Sequence, residues 1–204
     1  MIRPIRLYGD PVLRRAARSV SRFDDDLRAL AADMIDTMID ADGLGLAAPQ
    51  IGIARRVFVV AGAADPEQPK LDDDAPEPTL DEQRAAALVF VNPTLRVQAG
   101  VQTGIEGCLS LPGLYHDAVE RHAALSVRFQ DLSGEWHERS AEGRFAVVLQ
   151  HEADHLDGVL FIDRLPDAER AEFMEEHRSD LAQMQRDAKA ALRSNGRPSV
   201  GRST

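Results

Sequence analysis

The chain is poor in cysteine: its 204 residues hold one, Cys108. A single cysteine excludes an internal disulfide framework and fits a reducing compartment, where a free thiolate survives. Long apolar runs are missing too, with no stretch near the eighteen residues that a membrane-spanning helix needs. The start, "MIRPIRLYGDP", carries charge but no apolar signal core, so the expected location is cytoplasmic. Positive charge is outnumbered, with 24 Lys and Arg against 34 Asp and Glu. The formal charge of −10 argues against a nucleic-acid surface covering the whole domain, and no sequence-specific nucleic acid is expected as a partner. No internal repeat and no regular βαβ alternation stand out.

What remains suits one folded domain with a real core, since 44% of the residues are hydrophobic. Residues 24–41 place Leu27, Leu30, Ala31, Met34, Ile35, Met38 and Ile39 at three-and-four spacing, which predicts an amphipathic helix ended by Gly43. Residues 56–61, 87–97 and 125–129 are rich in β-branched and aromatic types and predict strands, with a weaker signal at 134–140. Residues 144–157 predict a helix buried on most sides. In such a helix an ionised Asp154 needs a partner, for which Arg121 is the candidate. After Pro166, one long exposed helix is expected from Asp167 to Leu192, with Phe173, His177, Leu181, Met184 and Ala188 along one side. Early strands with a late motif helix point to an α+β fold, with antiparallel or mixed β-sheets packed around that central helix.

Between two apolar runs lies "DPEQPKLDDDAPEPTLDEQR", residues 65–84, with eight acids against two bases, a local charge of −6. It reads as a solvated acidic insertion at about 63–86. The last residues, 195–204, read as a flexible basic tail.

The chemistry concentrates in "QHEADHLDG", residues 150–158. Positions i and i+4 of a helix share a face, so His151 and His155 can both turn a ring nitrogen to one metal ion, with Glu152 beside it. An open catalytic site wants a third protein ligand. The longer pattern HExxHxxGxxH is met as far as Gly158 and then fails at Phe161, which cannot ligate. Two candidates for the third ligand stay open: Glu175, in a stretch holding four glutamates, and Cys108 in "EGCLS", residues 106–110. A third segment, "GLGLAAPQ" at 43–50, offers backbone close to a ligand at its glycines. There Pro49 is expected to hold Ala48 extended and to present Gln50, whose amide can donate to a developing oxyanion.

Taken together, "GLGLAAPQ", "EGCLS" and "QHEADHLDG", in this order, resemble the peptide deformylase family over residues 5–165. The resemblance implies a catalytic domain at 1–165, a helix at 166–194 belonging to the same domain, and Cys108 as the third ligand with His151 and His155. It implies Fe2+ as the ion, with Zn2+, Ni2+ or Co2+ as substitutes. It makes Glu152 the proton carrier, and Gln50 and the Leu109 backbone amide the oxyanion donors. The implied reaction removes the N-formyl group from the initiator methionine of new polypeptides and releases formate. The peptide would run along Gly43, Leu44 and Gly45, with the methionine side chain against Leu44, Val147 and Val148. Asp154 and Arg121 would support the centre from behind. The implied partners are N-formylmethionyl nascent peptides, with a transient ribosome contact through the C-terminal helix left open. This chain departs from the family with "GRFAV" at 143–147 and with Ala153 where a larger apolar residue is usual. His116, His122, His137 and His177 are given no role. The competing readings are a zincin-like endopeptidase using Glu175, and a catalytically silent relative binding formylated peptides or ribosomes through the acidic insertion and terminal helix.

Overall fold

The computed structural model describes residues 1–67 and 77–195. Helix α1 (Asp25–Asp40) begins where the Asp24 side chain accepts from the Leu27 amide at 3.2 Å, capping the first turn. It ends in a Schellman closure, with Gly43 N–H bonding Met38 O at 2.9 Å and Asp42 N–H bonding Ile39 O at 3.1 Å. The left-handed residue of that closure is Asp42, at φ 51°, and not the glycine expected to end the helix.

Among the described residues five strands follow: β1 (Gly45–Ala47), β2 (Val57–Val60), β3 (Leu88–Cys108), β4 (Leu111–Gln130) and β5 (Trp136–Glu142). They form one sheet in chain order, and every neighbouring pair is antiparallel. All four residues of β2 are buried because both faces of the sheet are covered. Val57 and Val59 meet Leu27, Leu30, Met34 and Met38 of α1, whereas Phe58 and Val60 meet Phe145, Leu149 and Leu156 of α3 (Gly143–Leu156). The motif helix is thereby clamped to the sheet by large side chains, each contributing about 1.5–3 kcal/mol of burial.

Strands β3 and β4 run far beyond the expected 87–97 and 125–129. The added length is a hairpin in which exposed strand formers such as Val101, Ile105 and Tyr115 are interspersed with glycines and polar residues, and ladder pairing joins its two arms. Within the acidic insertion, Leu80–Ala86 form a short helix, α2, where a loop was expected. Thr79 and Glu82 close a reciprocal capping box at its start, a Thr-x-x-Glu signal present in the sequence. Residues 68–76 of the insertion and 196–204 of the tail lie outside the described residues. The stretch expected as one C-terminal helix divides at His177 into α4 (Asp167–Glu176) and α5 (Arg178–Asn195). Phe173, Leu181 and Met184 are buried in a cluster with Cys108, Leu111 and Phe161. No helix among the described residues is long and apolar enough to cross a membrane.

Candidate metal centre

Three segments meet between β1, the β3–β4 turn and α3. On α3, His151 and His155 lie one turn apart and meet edge to face, with ring centroids 5.0 Å apart. Cys108 ends β3, and its Sγ lies 3.2 Å from His155 Nε2. One donor atom from each of Cys108, His151 and His155 lies within 4.8 Å of the other two, close enough for a single ion to reach all three. Around this trio burial opposes the thiolate, but His155 and His151 outweigh it and hold the Cys108 thiol well below its usual range. A thiolate with two imidazoles is a donor set that suits a divalent transition metal.

The orientation of His151 is set from behind. Its Nδ1 meets Glu106 Oε2 at 2.8 Å, which leaves Nε2 toward the cysteine. Glu106 and Cys108 are two residues apart on β3, so both side chains leave the same face. Arg121 on β4 bonds Glu106 from Nε at 2.6 Å and from Nη2 at 2.9 Å, and its Nη1 donates to Asp154 Oδ2 at 2.6 Å. Burial would push the Glu106 carboxyl up, but Arg121 and His151 bring it down to about 2. Arg164 completes the line by donating from Nε to Asp154 Oδ2 at 2.9 Å. Sequence reasoning linked Asp154 to Arg121 but missed Glu106, which sits inside the quoted "EGCLS". Nothing in the sequence marked Arg164.

Gln50 is 1% exposed. Its Oε1 accepts from the Ala47 amide at 2.7 Å, so the side-chain NH2 must face the other way, 3.5 Å from Cys108 Sγ and 3.5 Å from Ser110 Oγ. Pro49 does not extend Ala48, which opens the 3-10 turn Ala48–Ile51; the extended residue is Ala47, at φ −94° and ψ 147°. The N-terminal segment pins both loops, with Arg6 N–H on Gln50 O at 2.6 Å and Tyr8 N–H on Ser110 O at 2.8 Å. Leu109 follows Cys108 directly in the turn that joins β3 to β4.

Glu152 lies against β1. A Cβ at Gly45 would stand 2.4 Å from Glu152 Oε1, so only glycine leaves the carboxylate its room. A Cβ at Gly43 would come 2.8 Å from Leu109 Cδ1. Burial pushes the Glu152 carboxyl up to about 7. Glu152 Oε2 and His155 Nδ1 are buried with no hydrogen-bond partner among the described residues. Val147 and Val148 stand one turn before His151 and Glu152; Val148 is buried in the α3 cluster and Leu44 packs on its edge. Glu175, the competing third ligand, is exposed on α4, where it pairs with Arg178, and is not part of the trio.

A helix that carries HExxH beside a buried cysteine, with an unpartnered carboxylate oxygen in between, defines a metal-dependent hydrolase. The polypeptide deformylase family model matches residues 2–171. Peptide deformylase of Thermus thermophilus is 46% identical over 193 residues, which cover 95% of this chain and 97% of that one. Peptide deformylase of Alkalilimnicola ehrlichii is 45% identical over 166 residues, covering 81% and 83%. A crystal structure of peptide deformylase from Thermus thermophilus superposes with a TM-score of 0.79 at 43% identity, covering 92% of this chain and 99% of that one. The chain belongs to the peptide deformylase family. It is an enzyme of that family, which works with a catalytic divalent metal, and Cys108, His151 and His155 form a group that could hold one.

Proposed function

We propose that Cys108, His151 and His155 hold one divalent ion, iron(II) by preference with zinc, nickel or cobalt as substitutes, and that Glu152, Gln50 and the Leu109 amide carry the reaction around it. The observation that bears this reading is the convergence of the three donor atoms within 4.8 Å beside a carboxylate with a free buried oxygen. The reaction removes the N-formyl group from the initiator methionine of new polypeptides. The ion supplies Lewis acidity toward a water and the formyl oxygen. Glu152 takes a proton from the attacking water as its oxygen bonds to the formyl carbon. The electron pair displaced onto the formyl oxygen is held by the Gln50 NH2 and the Leu109 N–H. When the C–N bond breaks, Glu152 passes its proton to the leaving nitrogen, giving formate and a free amine. A carboxyl raised to about 7 is matched to taking and returning a proton near neutrality.

The peptide backbone runs along Gly43, Leu44 and Gly45, and the methionine side chain takes an apolar pocket walled by Leu44, Val147 and Val148. Asp154 and Arg121 hold the centre from behind. Residues 1–165 with the acidic insertion act as the catalytic domain, and the C-terminal helical stretch belongs to it, as the burial of Phe173 beside Phe161 supports. The working location is the cytoplasm, and α5 is the surface for a transient ribosome contact.

Metal analysis under anaerobic conditions, paired with formate release from a formyl-Met peptide, tests the reading. One ion per chain with formate release is expected, and Cys108→Ala should lose the ion; full occupancy in that variant overturns the ligand set. Iron-loaded protein should lose activity in air faster than nickel-loaded protein, because the iron–thiolate pair is open to oxidation. Equal lifetimes would remove the case for iron.

A further inference from the structure

Ser110 closes the "EGCLS" segment in the turn between β3 and β4, and it is 0% exposed although it carries a hydroxyl. Its backbone is fastened on both sides: the N–H donates to Cys108 Sγ at 3.4 Å, and the carbonyl accepts from Tyr8 N–H at 2.8 Å. The side chain has little freedom left, with Oγ 3.5 Å from Gln50 Nε2 and no other hydrogen-bond partner among the described residues. A fully buried hydroxyl needs a partner, and the Gln50 amide is the one that faces it. The amide in turn is held at both ends. Its Oε1 accepts from the Ala47 N–H at 2.7 Å, and its NH2 lies 3.5 Å from both Ser110 Oγ and Cys108 Sγ. A carboxamide has two N–H bonds that point apart, so one can rest on the hydroxyl while the other is aimed at the metal side.

We propose that Ser110 is a positioning residue: its hydroxyl holds one N–H of the Gln50 amide so that the second N–H points to where the oxyanion forms. The last torsion of a glutamine is broad, and Ala47 restrains it at the oxygen only. A second contact at the nitrogen fixes the plane of the amide before substrate arrives. A donor held in place beforehand costs no reorganisation when charge develops. The two contacts come from separate parts of the fold, Ala47 from the end of β1 and Ser110 from the β3–β4 turn, so the amide is oriented only once the sheet has brought them together. What the aimed N–H does rests on the deformylase reading, whereas the contact itself does not. Because the bond to an oxyanion strengthens in the transition state, loss of aim should lower kcat and leave KM alone.

The test uses the full zinc-loaded chain, with kcat and KM for formate release from a formyl-Met peptide and 15N relaxation of the Gln50 side-chain NH2. Ser110→Ala should lower kcat roughly 5- to 50-fold, a part of the loss that follows removal of an oxyanion donor, with KM within about twofold and metal content unchanged. The Gln50 NH2, rigid in the unaltered chain, should become mobile on the ps–ns timescale in Ser110→Ala. Ser110→Thr keeps the hydroxyl and should keep a rigid amide and most of the turnover. In a Gln50→Ala background the Ser110→Ala change should cost less than about twofold, because nothing remains to aim. Ser110→Gly gives the same readings should alanine disturb folding. An undiminished cost of Ser110→Ala in the Gln50→Ala background overturns the inference, since the hydroxyl would then act elsewhere. So does a kcat within twofold of the unaltered chain, a raised KM at unchanged kcat, or a Gln50 amide as rigid without the hydroxyl as with it. No formate from the unaltered chain would sink the deformylase reading, whereas formate release with the amide unmoved would sink this inference alone.

Discussion

Helix α3 has two polar faces that are treated in opposite ways. On the front, Glu152 Oε2 is buried without a partner among the described residues. On the rear, Asp154 is held by Arg121 and Arg164, while Gln150 exchanges bonds with the His122 backbone, accepting at 3.0 Å and donating at 2.9 Å. Buried polar groups are normally satisfied, so the rear follows the rule and the front breaks it. Unmet hydrogen-bonding capacity sits where a metal, a water and a substrate are expected; met capacity sits where α3 is fastened to β4. His151 belongs to both, with one ring nitrogen toward Cys108 and the other on Glu106, which passes the rear network to the front.

Four substitutions test this division. Glu152→Gln acts on the front alone, and formate release should fall by roughly 100- to 10,000-fold with metal content unchanged. A variant keeping a tenth of its turnover would show that the unpartnered oxygen has no part in proton transfer. Arg121→Met acts on the rear and leaves Glu106 and Asp154 buried without that cation. It should destabilise the fold by about 3–5 kcal/mol, read as a Tm lower by roughly 10 °C. A shift under about two degrees would make the rear network dispensable. Glu106→Gln tests the bridge between faces. It removes the charge that orients His151, and metal affinity measured against a competing chelator should drop roughly 10- to 100-fold. Unchanged affinity would disconnect the faces. Arg164→Ala should do least. Its side chain is 48% exposed, so the loss should stay within about 1 kcal/mol, with metal content and turnover unaltered. A fall in metal affinity there would extend the bridge further than the geometry suggests.

Much of the front face was legible in the chain itself. Histidines four apart with an intervening glutamate place themselves on one helical face by periodicity alone; the apolar residues of α1 announce their burial in the same way, and those of β2 do so by composition. The rear was less legible. Arg121 and Asp154 are 33 residues apart, and only the unwillingness of a buried carboxylate to stand alone suggested the pair. Glu106 lies beyond the strand expected at 87–97, so the alternation that puts positions 106 and 108 on one face was not legible. Arg164 gave no signal, since an arginine in a turn is ordinarily solvated. The hairpin formed by β3 and β4 was underestimated because its outer part is held by pairing. The break at His177 was unseen because the apolar spacing runs through it.

By itself, the sequence determined the local periods: which residues share a helix face or a strand face, and that HExxH must present two imidazoles together. Only the tertiary structure decided that Cys108 is the third member of that group and Glu175 is not, that the Gln50 amide turns its NH2 to the sulfur, and that Glu152 is stripped of partners. Periodicity acts over a few residues and is written in order along the chain. Burial and the meeting of donors depend on the antiparallel sheet bringing residues 45, 108 and 152 together, a distance that no local rule encodes.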